Sequence, residues 1–199
     1  MLLDRAGLSR GRHVILPGRM TYYARNLPHW QPAGKDIFIT WRLYGSLPAQ
    51  FGTPKREDSA GKRFITYDSV LDLAGTGPLW LSDPRIAECV IAALRKGEVQ
   101  EMFLLHAYVV MANHVHVLLE PKFPIARITQ MLKGSTARAA NAILGRVGMR
   151  FWQEESFDHW IRNEPEKGRV QTYIERNPVI AGLVQSPEEW PWSSVTRSK

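Results

Sequence analysis

Two histidines, a tyrosine and an asparagine are the residues of this chain whose types and spacing could do chemistry. His114 and His116 flank Val115 in the segment NHVHVLLEP. In a strand, alternate side chains point to one face, so both imidazoles project together while Val115 packs the other way. Two neutral imidazoles on one rigid strand offer two ligands of a metal site at a fixed separation. The following Val117-Leu118-Leu119 favours a strand inside a sheet, where paired polar groups on one face need an explanation. Two exposed histidines on a half-buried strand fit the same spacing.

Two histidines do not complete a site. Tyr173 and Asn177 are four apart and share a helix face. Asn177 offers a carbonyl oxygen to a metal. Tyr173 offers a phenol that could attack a phosphate lying on it. An unassisted phenol, with a pKa of about 10, is a poor nucleophile at neutral pH, and a nearby divalent cation would favour the phenolate and polarise the phosphoryl oxygen. Structural readings stand beside these: Tyr173, near Val170 and Ile174, as core, and Asn177 as the end of a helix before Pro178.

The elements that must position these groups follow from pattern. Residues 1–34 carry Pro17, Pro28 and Pro32 among several Gly and Arg without a sustained period, and read as a basic arm. Ile37 to Leu43 is β-branched and aromatic, a strand. Residues 45–63, rich in Pro, Gly and charge, read as a loop or insertion. Ser82-Asp83-Pro84 opens a helix with the apolar stripe Ile86, Val90, Ile91 and Leu94, which Gly97 is expected to end. Phe103 to Met111 and His114 to Glu120 form a hairpin across a tight Met-Ala-Asn connection. A second helix covers about Ile125 to Leu144, and Phe157 to Ile161 is a fourth strand. The last helix starts near Asn163, in capping-box spacing with Glu166, and is expected to end at Asn177-Pro178. The order β-α-β-β-α-β plus a helix is the split βαβ, ferredoxin-like pattern of an α+β fold with an antiparallel sheet. Residues 35–199 form one domain on this reading, with 185–199 as its tail.

Composition narrows the class of partner. The 199 residues are 44% hydrophobic and 23% charged, which is globular rather than disordered. The formal charge is +7, and the excess is concentrated. Residues 121–150 hold six basic residues and no acid, and residues 1–30 hold five arginines against Asp4. Such patches favour polyanions, nucleic acid first, although solvated basic faces are also common. The only cysteine, Cys89, gives no disulfide framework or thiolate metal site and reads as a small buried hydrophobe. With no signal-like start and an apolar stretch at 103–110 too short to cross a bilayer, a cytoplasmic protein without membrane contact is expected.

The segments NHVHVLLEP, LKGSTARAANAILG, RFWQEESFDHWIRNEPE, VQTYIERNPVIAGLV and WPWSS, in this order, resemble the REP-associated tyrosine transposases, members of the HUH single-tyrosine nucleases. The resemblance runs from about Ile37 to Ser194 and is dense from His106 onward. It implies a ferredoxin-like fold with a C-terminal catalytic helix, a metal held by His114 and His116, Tyr173 as nucleophile, and Asn177 where that helix sends a third ligand. Many single-tyrosine transposases have Gln at that position. The implied reaction is transesterification of single-stranded or hairpin DNA of the repetitive extragenic type, through a 5′-phosphotyrosine, with Mg²⁺ or Mn²⁺. It needs no nucleotide cofactor, because the covalent intermediate conserves the phosphodiester energy. A homodimer is compatible with this reading.

Within that frame Arg127, Lys133 and Arg138 are candidates to hold DNA phosphates, with a solvated helix face as the alternative. Trp152, Phe157 and Trp160 could stack bases but fit core packing better. Trp190 and Trp192 are expected to tie the tail to the core. His106 and His159 are expected to make structural hydrogen bonds. The main rival function is a non-catalytic, domesticated module that binds DNA or RNA hairpins. A two-histidine phosphoesterase lacks its second histidine motif, and a structural zinc site lacks further ligands.

Overall fold

The computed structural model describes residues 34–47, 68–73, 75 and 77–198, with backbone alone at 14–16, 20–24, 28–31 and 197–198. Most of the expected 45–63 insertion, and Tyr67, lie outside the described residues. Four strands form an antiparallel sheet: β4 (Ile37–Arg42), β5 (Phe103–Val110), β6 (His114–Pro121) and β7 (Phe157–Trp160), in the order β5-β6-β4-β7. Helix α1 (Pro84–Val99) crosses from β4 to β5, and α2 (Ile125–Ile143) from β6 to β7. That is the ferredoxin-like arrangement expected from the element order. Helix α3 (Glu164–Ile180) follows β7.

Alternation along the strands divides the molecule into two layers. Ile37, Ile39 and Trp41 of β4, with Val115, Val117 and Leu119 of β6, point to the side where Ile86, Val90, Leu94, Ile128 and Leu132 of α1 and α2 complete the larger core. Each such Leu, Ile or Val removed from water contributes roughly 1.5–3 kcal/mol before entropy. The opposite face presents Phe38, Val109 and Leu118, which pack with Ile174 of α3. His114, His116 and Thr40 are on this second face. Trp152 is buried against Trp41 and donates its indole N–H to the Thr136 hydroxyl at 2.9 Å, so it is core, and Phe157 and Trp160 pack partly buried on the two faces.

Caps set most of the helix limits. Asp83 accepts the Arg85 N–H at 2.9 Å with Pro84 in the first turn of α1. Asn163 accepts the Glu166 N–H at 2.9 Å to start α3. Two expected ends are corrected. Helix α1 runs past Gly97 to Val99 and closes with Glu101 at φ 54, where the Met102 N–H bonds the Gly97 carbonyl and the Glu101 N–H bonds that of Glu98, both at 2.9 Å. Gly97 is needed for contact instead: a Cβ there would stand 2.6 Å from two Phe103 ring atoms. Helix α3 likewise continues through Pro178 to Ile180 and closes on Gly182 at φ 70. Proline in the last turn removes one donor, to the Ile174 carbonyl, without breaking the helix. Asn177 is therefore inside the helix, fully buried.

Three short strands, β1 (Val14–Leu16), β2 (Met20–Ala24) and β3 (Pro28–Gln31), form an antiparallel meander in the segment expected to be an arm. Runs of three to five residues are too short to display a period. At the other end, the tail lies on the outer edge of β5: the Val110 N–H bonds the Trp192 carbonyl and the Ser194 N–H bonds that of Tyr108, both at 2.9 Å. With the Trp190 indole donating to the Val110 carbonyl, the tail covers part of a sheet edge that would otherwise present unpaired backbone groups. No helix among the described residues is long and apolar enough to cross a membrane.

Candidate active site

The hairpin places both imidazoles on the α3 face, with no exposure to solvent. Their Nε2 atoms are 3.0 Å apart. The outer nitrogens are held from behind: Nδ1 of His114 is 2.6 Å from Asn113 Oδ1, and Nδ1 of His116 is 2.7 Å from Thr40 Oγ1. Asn113 donates from Nδ2 to the Leu71 carbonyl, so its Oδ1 accepts, which puts the His114 proton on Nδ1. The His114 Nε2 lone pair then faces inward. Burial, reinforced by the neighbouring His116, pushes the His114 imidazole down to about 3, which keeps it neutral at pH 7.

Two acids complete the cluster, and the sequence reading missed both. A helical turn at residues 68–72 carries Asp68 and Asp72, four apart and so on one side. Buried Leu71 and the Asn113 bond anchor this turn on the hairpin. Asp68 Oδ1 is 3.2 Å from His116 Nε2 and 3.8 Å from His114 Nε2, and Asp72 Oδ1 is 3.6 Å from His114 Nε2. Burial works against the Asp68 charge, but His116 and His114 outweigh it and hold its carboxyl below the usual range. Burial and the Asp68 charge push Asp72 up to about 7. The signal was a pair of acids in Asp-Ser-Val-Leu-Asp, but nothing in the spacing ties that stretch to residues about 45 positions further on.

Tyr173 and Asn177 reach the same place from α3. The Tyr173 ring packs edge-on to Phe38 and His116, with centroids 6.4 and 5.9 Å away. Its hydroxyl donates to Asp68 Oδ2 and is 3.4 Å from the Asn177 amide nitrogen, which donates to it. Asn177 Oδ1, Asp68 Oδ1 and Asp72 Oδ1 are all buried without a hydrogen-bonded donor.

This donor set fits a divalent cation. Asp68, His114 and His116 bring ligand atoms within 4.8 Å of one another. Two donors at roughly 2.1 Å from one octahedral ion, at right angles, stand about 3 Å apart, which is the separation of the two Nε2 atoms. Buried acceptors left without donors are the groups a cation would satisfy. Imidazole with carboxylate and amide oxygen suits Mn²⁺ and, less well, Mg²⁺.

The other candidates separate. Arg127 and Arg138 lie on one exposed face of α2, eleven residues or roughly 16 Å apart. Arg127 covers the Phe123 ring at 4.8 Å. Lys133 turns the other way and donates to the Glu154 carbonyl at 2.7 Å and the Ser156 hydroxyl at 3.3 Å. His159 pairs with Glu166 at 3.1 Å, and His106 pairs with Asp36 at 2.9 Å, both structural contacts. Tyr108 is core, and Tyr44 lies under Arg150.

Residues 81–177 match the sequence pattern of the family described as IS200-like transposases, a span that includes His114, His116, Tyr173 and Asn177. Among solved structures, the chain is similar to a REP-associated tyrosine transposase bound to a REP hairpin, with a TM-score of 0.54 and 19% identity over 87% of this chain and 84% of that one. It also matches a crystal structure of a candidate transposase from Deinococcus radiodurans R1, with a TM-score of 0.41 and 20% identity over 71% of this chain and 88% of that one. No curated protein matches by sequence.

Proposed function

We propose that this chain is an IS200-like transposase, a metal-dependent strand transferase that cuts and rejoins single-stranded DNA, with Tyr173 as nucleophile and hairpin-forming repetitive DNA as substrate. The observation that carries the reading is the convergence of Tyr173 and the histidine pair on one carboxylate: Asp68 Oδ2 accepts a hydrogen bond from the Tyr173 hydroxyl, and Oδ1 faces His116 Nε2 at 3.2 Å.

His114, His116 and Asp68 would hold Mg²⁺ or Mn²⁺, with Asn177 Oδ1 and Asp72 Oδ1 at hand as further oxygen ligands. When bound, such an ion polarises the scissile phosphate and favours the phenolate. The chain's own groups do the rest. The Tyr173 oxygen attacks phosphorus, its proton passes to Asp68 Oδ2, the bond to the 3′ oxygen breaks, and the departing 3′ oxygen takes up the proton that Tyr173 released. The products are a 5′-phosphotyrosine and a free 3′-hydroxyl, and reversal on another strand rejoins DNA. Asn177 Nδ2 steadies the phenol oxygen, and the edge contacts with Phe38 and His116 limit the ring's orientation. Arg127 and Arg138, exposed on α2 across the sheet from the histidine pair, would hold flanking DNA rather than the phosphate being cut. The REP hairpin held by the similar structure supports a hairpin partner here.

The test is to incubate the protein and Mn²⁺ with labelled single strands from its own genomic flanks. The DNA should become covalently attached with wild-type protein and not with His114→Ala/His116→Ala. Attachment that survives the double substitution would remove the histidines from the reaction.

A further inference from the structure

Helix α3 is docked in two different ways along its length. Its buried residues, Ile174, Asn177 and Pro178, all lie in the C-terminal half. In the first six residues Glu164, Pro165, Gly168 and Arg169 are exposed, and only Glu166 and Lys167 are half-buried. Val170 and Tyr173 are the first apolar residues of the helix to meet the core. Before Val170 the helix thus has no hydrophobic anchor among the described residues, and its start is held by polar contacts.

The main contact is a three-residue cluster. Asp36, just before β4, accepts from His106 Nε2 on Oδ1 at 2.9 Å and pairs with Lys167 Nζ through Oδ2 at 2.9 Å. Lys167 Nζ is 3.3 Å from the same imidazole nitrogen. His106 arrives there because β5 is irregular: Leu105 pairs with Leu119 and Ala107 with Leu118, so His106 is an extra, bulged residue. A bulge breaks the ladder and re-aims one side chain, and such irregularities recur next to active sites. Asp36, His106 and Glu120 also come close enough to hold a metal, but the Lys167 ammonium already supplies the positive charge. On the other side of the helix start, Glu166 bonds His159 of β7 at 3.1 Å.

We propose that Asp36, bulged His106 and Lys167 form a positioning clamp that holds the first turns of α3 on the sheet and thereby sets the Tyr173 oxygen against the histidine pair. The proposal rests on the reading of Tyr173 as nucleophile. Lys167 is six residues from Tyr173, roughly 9 Å along the axis, and Tyr173 sits at the boundary between the clamped and the apolar halves. Freed at one end, the helix can tilt about its buried C-terminal half. A misplacement of about 1 Å at the reacting atom can cost on the order of 100-fold in rate.

The test uses the full chain with Lys167→Met, which keeps the stem and removes the charge, and Asp36→Asn, which breaks the clamp without removing a cation that could touch DNA. Backbone hydrogen exchange in the DNA-free protein reads the clamp directly. Exchange over residues 166–172 should rise by about tenfold or more while 175–180 stay unchanged. At saturating Mn²⁺ and DNA, the rate of covalent attachment should fall roughly 10- to 100-fold in both variants, with DNA and Mn²⁺ affinities within about twofold of wild type. Lys167→Arg should restore most of the rate. Unchanged exchange, or a rate loss matched by a loss of DNA affinity, would overturn the clamp. If the wild-type protein forms no adduct, the nucleophile reading fails, and the exchange result alone decides whether the clamp holds the helix.

Discussion

Replacing Thr40 with Val should weaken metal binding while leaving the fold intact. Thr40 is buried on β4, and its hydroxyl oxygen is 2.7 Å from His116 Nδ1. Val has nearly the same shape but offers no acceptor. For His116 to bind a cation through Nε2, its proton must be on Nδ1, where Thr40 now satisfies it. In the metal-free variant the imidazole can shift its proton to Nε2, which faces Asp68 Oδ1 at 3.2 Å, so the apo protein loses little. Metal binding must then return the proton to Nδ1, against a methyl group. An unsatisfied buried donor costs about 1–3 kcal/mol, and at 1.4 kcal/mol per tenfold this predicts Mn²⁺ binding weakened by roughly 5- to 150-fold. Calorimetric titration with Mn²⁺ measures it, alongside a thermal melt without metal that should barely move. Unchanged affinity, or a large drop in the metal-free melting temperature, would refute the tautomer reasoning.

Because Asp72 is raised to about 7, it is largely protonated below that pH and must release a proton to serve as a ligand. Mn²⁺ affinity should therefore rise with pH between about 5 and 7, by up to about tenfold per unit, and level off above. His114, lowered to about 3, adds no slope in that window. Asp72→Asn should flatten the dependence, and an unaltered slope would exclude Asp72 from the site. Arg127→Ala with Arg138→Ala should reduce the log–log salt slope of single-strand binding by about 1.4, at roughly 0.7 per lost phosphate contact. A slope that does not change would place the DNA elsewhere.

Local chemistry made much of this architecture legible. Asp83-Pro84 and Asn163 with Glu166 state their helix starts outright, and the hairpin is marked by two apolar runs around a three-residue turn. The His-Val-His alternation gave the shared face of the imidazoles because strand geometry admits no other arrangement. Gly97 and Pro178 were misread for a common reason. Both are strong local stop signals, and tertiary context overrode each: Phe103 needs the space at Gly97, and Pro178 falls where a helix loses only one bond. Asp68 and Asp72 were out of reach because their role exists only once Asn113 and Leu71 bring a distant turn onto the hairpin. The clamp at His106 depends on a bulge, and a register shift of one residue leaves no mark in composition or period.

The central claim is that Tyr173, and no other tyrosine, attacks DNA. The most direct measurement is to run the Mn²⁺ reaction with a single strand from the genomic flank, denature and digest it, and identify the nucleotide-bearing peptide by mass spectrometry. The account predicts one adduct, on Tyr173 in the peptide around VQTYIERNP, and none in Tyr173→Phe, which keeps the ring against Phe38 and His116 and should fold as wild type. An adduct on any other residue, or strand cleavage that persists in Tyr173→Phe, would contradict it.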